Sequence, residues 1–119
     1  MTTTRLTTDG LIKKIMAQTG GYLAFPFNHV GEQAAIVFAT IKQRHNHKIL
    51  AMVYQKDDQV MVDLKLTPAH SESIRTLKGV APGAHFNQRY WTTITINATA
   101  ISDQKLTAMI AESAKLTSR

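Results

Sequence analysis

The chain has no cysteine. That removes disulfides, thiolate zinc sites and thiol nucleophiles from the possible chemistry. Proline is scarce, with three in 119 residues, and glycine numbers six, so each breaker marks a boundary. Long apolar runs are also missing, and none approaches the roughly 20 residues of a membrane helix. The first residues, Met1-Thr2-Thr3-Thr4-Arg5, lack the apolar stretch of a signal peptide. A soluble, cytoplasmic protein is the expectation. Acidic residues are outnumbered, 8 against 14 basic ones, giving a net charge of +6. A basic excess suits polyanion partners, nucleic acid first. The cations are dispersed along the chain, as they also are on proteins with no such partner.

What is present reads as one domain spanning residues 1–119. A chain of this length hides roughly two-thirds of its unfolded surface, enough for a single core. Residues 1–7 read as a loose arm. Thr7 or Thr8 caps a first helix with Leu11, Ile12, Ile15 and Met16 on one face, stopped by Gly20-Gly21. Phe25-Pro26-Phe27 reads as a loop whose aromatics close the edge of the core. Residues 34–41 are apolar throughout and predict a strand buried on both faces. Residues 49–54 are its antiparallel partner, and Asn46 suits the turn between them. Asp57-Asp58 turns into a third strand with Val60, Val62, Leu64 and Leu66 on one face. Met61, Asp63 and Lys65 lie on the other, where Asp63 and Lys65 are expected to form an ion pair at the sheet surface. Thr67-Pro68 starts a second helix that Gly79 ends. Ser102 caps the last helix, with Leu106, Met109 and Ile110 facing the core.

Residues 79–97 carry the densest information. Pro82-Gly83 marks a turn. The polar and aromatic run His85, Phe86, Asn87, Gln88, Arg89, Tyr90, Trp91 follows. The chain then alternates, with Thr92, Ile94 and Ile96 on one face, the pattern of a half-buried strand. The block from Pro82 to Trp91 with its Thr-rich strand resembles the signature block of the YjbR/MmcQ family. Phe25-Pro26-Phe27 and Leu64-Lys65-Leu66-Thr67-Pro68 resemble two further blocks of that family, in the same order and spacing. Gln88 stands where the family usually has Lys, and Tyr90 where it has His. The resemblance implies an α+β, CyaY-like (frataxin-like) fold. It would have an antiparallel sheet of about four to five strands, helices packed on one face, and the order α-β-β-β-α-β-α. It also implies DNA binding through loops and hairpin wings.

The residues offer candidates for such binding. Arg44 and Lys48 lie in the most basic stretch, residues 42–48. Lys65 occupies a signature position. Asn87, Gln88 and Arg89 can contact phosphates or base edges. Plainer readings stand beside these, since a basic hairpin tip is often only solvated and Trp91 reads first as a core anchor. For catalysis there is little: no nucleophile elbow, no Gly-rich phosphate loop, and no carboxylate that spacing assigns to His85. His45 and His47 alone make a poor metal site. No enzyme activity, cofactor or metal is expected. Two alternatives remain open, a protein-interaction module and a small-molecule binder at the His85 loop.

Overall fold

The computed structural model describes residues 5–27, 36–83 and 85–119. The element order is α1 (Thr8–Thr19), β1 (Tyr22–Ala24), β2 (Ala39–Lys42), β3 (Ile49–Lys56), β4 (Gln59–Lys65), α2 (Pro68–Ile74), β5 (Val80–Pro82), β6 (Trp91–Thr95) and α3 (Asp103–Thr117). The strands form one antiparallel, six-stranded sheet ordered β1-β2-β3-β4-β6-β5. The fold is α+β, with two more elements than the sequence pattern gives. Both are edge strands of three residues, too short to carry a period and formed only because a longer neighbour pairs with them.

Each helix starts where its cap predicts. Thr7 Oγ1 accepts from Gly10 N at 3.0 Å, Thr67 Oγ1 from His70 N at 3.3 Å, and Ser102 Oγ from Lys105 N at 3.1 Å. Each cap contributes about 1 kcal/mol. Gly20 ends α1 in the left-handed region, with φ 73, a conformation glycine adopts without a Cβ penalty. α1 and α3 lie on the sheet face formed by Ile41, Ala51, Val53, Val62, Leu64 and Ile94. Leu11 and Ile15, four apart, are buried there beside Leu106, Met109 and Ile110. α3 also inserts a polar group between two strands. Ser113 Oγ donates to Leu50 O at 2.5 Å and accepts from Lys65 N at 2.8 Å.

The opposite face was expected to be open, and it is not. Thr40, Met52, Tyr54, Asp63 and Thr93 point away from the helices by register, yet all are buried. Phe38 and the loop at residues 85–90 fold over them: Phe38 packs against Tyr54 and His85, and Phe86 stacks on Trp91 with centroids 4.3 Å apart. Trp91 is therefore buried, as an anchor of this second layer rather than of the helix-side core.

Other expectations need correction. Within the long apolar segment only Ala39–Lys42 is strand, and Val37 is 58% exposed; positions 34 and 35 lie outside the described residues. Phe25 and Phe27 are exposed, so they do not close the core. α2 ends at Ile74, capped by Arg75, before Gly79 is reached. The positive φ in the β2–β3 turn belongs to His47, and Asn46 instead accepts from Lys48 N at 2.9 Å. Of the expected N-terminal arm, positions 1–4 lie outside the described residues. Leu6 is tied at both main-chain groups to Asn97, at 3.0 and 2.8 Å.

Candidate nucleic-acid interface and a buried carboxylate

The sheet register decides which candidate cations meet. Tyr22 pairs with Lys42, Lys42 with Ile49, Ala51 with Leu64, and Lys65 with Trp91. The β2–β3 turn, the last residue of β4 and the loop leading into β6 therefore share one end of the sheet. Arg44, Lys48, Lys65 and Arg89 all belong to that end, with Lys42 beside them. The C-terminus of α3 comes to the same end. Gln43 Nε2 donates to Ala114 O at 2.7 Å and Asn46 Nδ2 to Thr117 O at 2.9 Å, which adds Lys115 and Arg119. Among the described residues, none of these cations meets an Asp or Glu side chain.

They share an end without sharing one face. Arg44 Nε donates to Gly20 O at 2.8 Å, and its guanidinium lies 6.0 Å from the Tyr22 ring centroid. Lys48 Nζ reaches the Arg119 main-chain oxygen, on the α3 side. Lys65 lies on the opposite face, 5.4 Å from the Tyr90 ring centroid. The basic surface wraps around the sheet end. Asn87 is occupied locally, since its Oδ1 accepts from Arg89 N at 3.0 Å and its carbonyl from Trp91 N at 3.0 Å. It shapes the turn that presents Arg89. Gln88 has an exposed side chain, while its carbonyl accepts from Arg75. Arg75 thus holds the loop from α2, a role its helical position did not announce. Gly83 admits the loop against the sheet, because a Cβ there would lie 2.8 Å from Trp91 Cβ.

The second feature lies beneath this loop. Asp63 is wholly buried. Its Oδ1 accepts from Thr93 Oγ1 at 2.5 Å and Tyr54 OH at 3.1 Å, and its Oδ2 faces His85 Nδ1 at 3.1 Å. The expected pair with Lys65 does not form. Asp63 is on the predicted face, but that face is covered, and three donors from β3, β6 and the loop replace the lysine. A buried carboxylate without such donors would be severely destabilising. Burial first, and then the charge of Asp63, push the Tyr54 phenol well above its ordinary range. Tyr54 therefore remains a donor. The His85 ring stands edge-on to Phe38 and Tyr54, with centroids 4.9 and 5.1 Å away. A proton on Nδ1 would be donated to Asp63, and Nε2 has no hydrogen-bond partner among the described residues. No sequence spacing links Asp63 with His85. Only the cross-strand pairs Asp63–Thr93 and Tyr54–Met61 bring the donors round.

The other histidines among the described residues are separately engaged. His45 Nε2 contacts Ser118 O at 2.7 Å, His47 Nδ1 contacts Tyr22 OH at 2.9 Å, and His70 Nδ1 contacts Glu112 at 2.8 Å. Among the described residues no group of three His, Asp or Glu side chains is arranged to hold a metal. Nor is any helix among them long and apolar enough to cross a membrane.

Comparison with protein-family models returned no match, and comparison with curated proteins returned none either. Solved structures do resemble the chain. A crystal structure of a Pseudomonas syringae protein superposes with TM-score 0.78 at 20% identity, over 94% of this chain and 99% of that one. A solution structure from the same organism gives TM-score 0.73 at 19% identity, over 94% and 93%. The Deinococcus radiodurans protein DR2400, described as carrying the family-model domain DUF419, gives TM-score 0.71 at 20% identity, over 100% of this chain and 83% of that one. At such identity the likeness establishes a shared α+β fold.

Proposed function

We propose that the chain is a DNA-binding protein of the YjbR/MmcQ type, gripping phosphates at the basic end of its sheet with little readout of base sequence. The family reading is supported by the three blocks of sequence resemblance, and is compatible with the fold shared with the DUF419 domain protein. One observation carries the binding reading: Arg44, Lys48, Lys65 and Arg89 come from distant parts of the chain to one sheet end, and none of them is paired with an acidic side chain among the described residues. The Asn87 Oδ1 serves its own turn, and the four cations make phosphate the main contact of this reading. Each neutralised phosphate adds roughly 0.9 to the salt slope of binding to duplex DNA. Three or four contacts give a loss of about 40- to 150-fold between 50 and 200 mM salt. Fluorescence anisotropy with a labelled duplex reads this directly. Absence of binding at low salt sinks the proposal.

The Asp63–His85 pair favours a second reading, a small-molecule site on the covered face. An oriented imidazole backed by a buried carboxylate is a common proton-transfer arrangement. Ligand-observed NMR screening against the native chain and His85→Ala tests it. Compounds that bind the native chain and lose the variant support the reading, and a screen with no such compound rejects it.

A further inference from the structure

At the end of the sheet away from the cations lies an apolar groove of about 880 Å³. Ile12 and Met16, half-buried at the margin of the α1 core face, line the groove together with Leu23, Phe25 and Val37. Phe25 is 47% exposed and Val37 58%, an unusual use of large apolar side chains unless something covers them. Among the described residues, Asp9, Asp57 and Asp58 stand at the rim, against one cation, Lys13. Three carboxylates at one groove are notable in a chain with 8 acids and a net charge of +6.

Asp57 and Asp58 have φ 51 and 63, in a two-residue hairpin turn that Asn, Asp and Gly favour. Asp9 stands in the first turn of α1, where a carboxylate suits the helix dipole. Each has a local reason, and together they give the groove a negative rim. Nucleic acid and anionic lipid are repelled by the rim, so the groove is not an extension of the basic end.

We propose that the groove docks a cationic amphipathic peptide segment of a partner protein. Apolar side chains of the peptide would sit on Phe25 and Val37, and a Lys or Arg would sit between Asp9 and the Asp57–Asp58 turn. Charge complementarity selects this occupant, and the apolar walls supply the contact area.

The test is a titration of the ¹⁵N-labelled full chain with two amphipathic peptides, one of leucine and lysine and the other of leucine and glutamate. The leucine–lysine peptide is expected to shift amide signals of Ile12, Val37 and Asp57. Val37→Asp should abolish that response, and Asp57→Asn/Asp58→Asn should weaken it about three- to tenfold. The acidic peptide should bypass the groove and perturb the Arg44 and Arg89 signals instead. Equal response of the groove to both peptides overturns the proposal, as does no response to the basic one. Groove signals that shift with protein concentration alone would assign the surface to a second copy of the chain, and that also overturns it. The DNA reading plays no part in these outcomes.

Discussion

The two ends of the sheet use charge in opposite ways. At the end holding the β2–β3 turn, Arg44, Lys48, Lys65 and Arg89 meet main-chain oxygens and aromatic rings or stand in solvent. At the other, Asp57 and Asp58 occupy the β3–β4 turn, Asp9 lies across the groove, and Asp103 opens α3. The separation is imperfect, because Lys13, Lys56 and Lys105 fall at the acidic end, Arg5 lines a hollow there with Asp103, and Glu112 lies near the basic end. Glu112, however, is engaged by His70 and by Thr67 N. Antiparallel pairing with short turns sends each local charge pattern to one end or the other. Scattered charges in the sequence are thereby gathered into a basic end and a mixed one, the arrangement on which the proposed polyanion binding rests.

Asp63 belongs to neither end, and it sharpens the contrast. Two hydroxyls and an imidazole are organised around it. Asp63→Ala strands those donors and should destabilise the fold by about 3 kcal/mol. Asp58→Asn, at an exposed turn that accepts either residue, should change stability by less than about 0.5 kcal/mol. Urea unfolding of both variants measures the difference, and similar values would show that the buried network carries no special weight.

Tyr54→Phe removes one donor from the same carboxylate and should cost about 1 to 2 kcal/mol near neutral pH. It also has a pH signature. The folded-state pKa of Tyr54 is raised above the ordinary tyrosine value of about 10. Its contribution is complete below that value and is lost as pH rises through the folded pKa. The native chain should therefore lose stability above about pH 10, by up to roughly 1.4 kcal/mol per pH unit from this group. The alkaline slope of Tyr54→Phe should be shallower, and identical slopes would remove Tyr54 as its source.

The basic end has its own support, weaker still. Gln43, buried beneath the turn, donates to Ala114 O and to Thr117 Oγ1 at 3.0 Å. Gln43→Ala should cost about 1 kcal/mol. It should also loosen the turn that presents Arg44 and Lys48, read as faster amide exchange at residues 44–48. Unchanged exchange there would mean that α3 does not hold the turn.

Much of this was legible in the sequence, for definite reasons. Caps at Thr7, Thr67 and Ser102 are local, and so are the alternations of β4 and β6. The α+β class follows from them. The edge strands were not legible, because a three-residue segment has no period. Asp63 shows where local reading stops. Alternation placed it on the correct face, but whether that face is wet depends on His85 and Phe38, which are far away in sequence. The gathering of Arg44 with Arg89 was equally invisible, since it rests on register across β3, β4 and β6. Asn87 reads from sequence as a contact to bases or backbone; that its Oδ1 also accepts from Arg89 N and so shapes the turn was not read from the sequence.

The most direct measurement compares salt-dependent DNA binding of the native chain with two variants. One lacks cations at the basic end, Arg44→Ala/Lys48→Ala/Arg89→Ala, and the other lacks them at the acidic end, Lys56→Ala/Lys105→Ala. Loss of three phosphate contacts should flatten the slope of log K against log salt by about 2.7 in the first, with the second close to native. Equal slopes for all three proteins would contradict a polyanion site at the basic end.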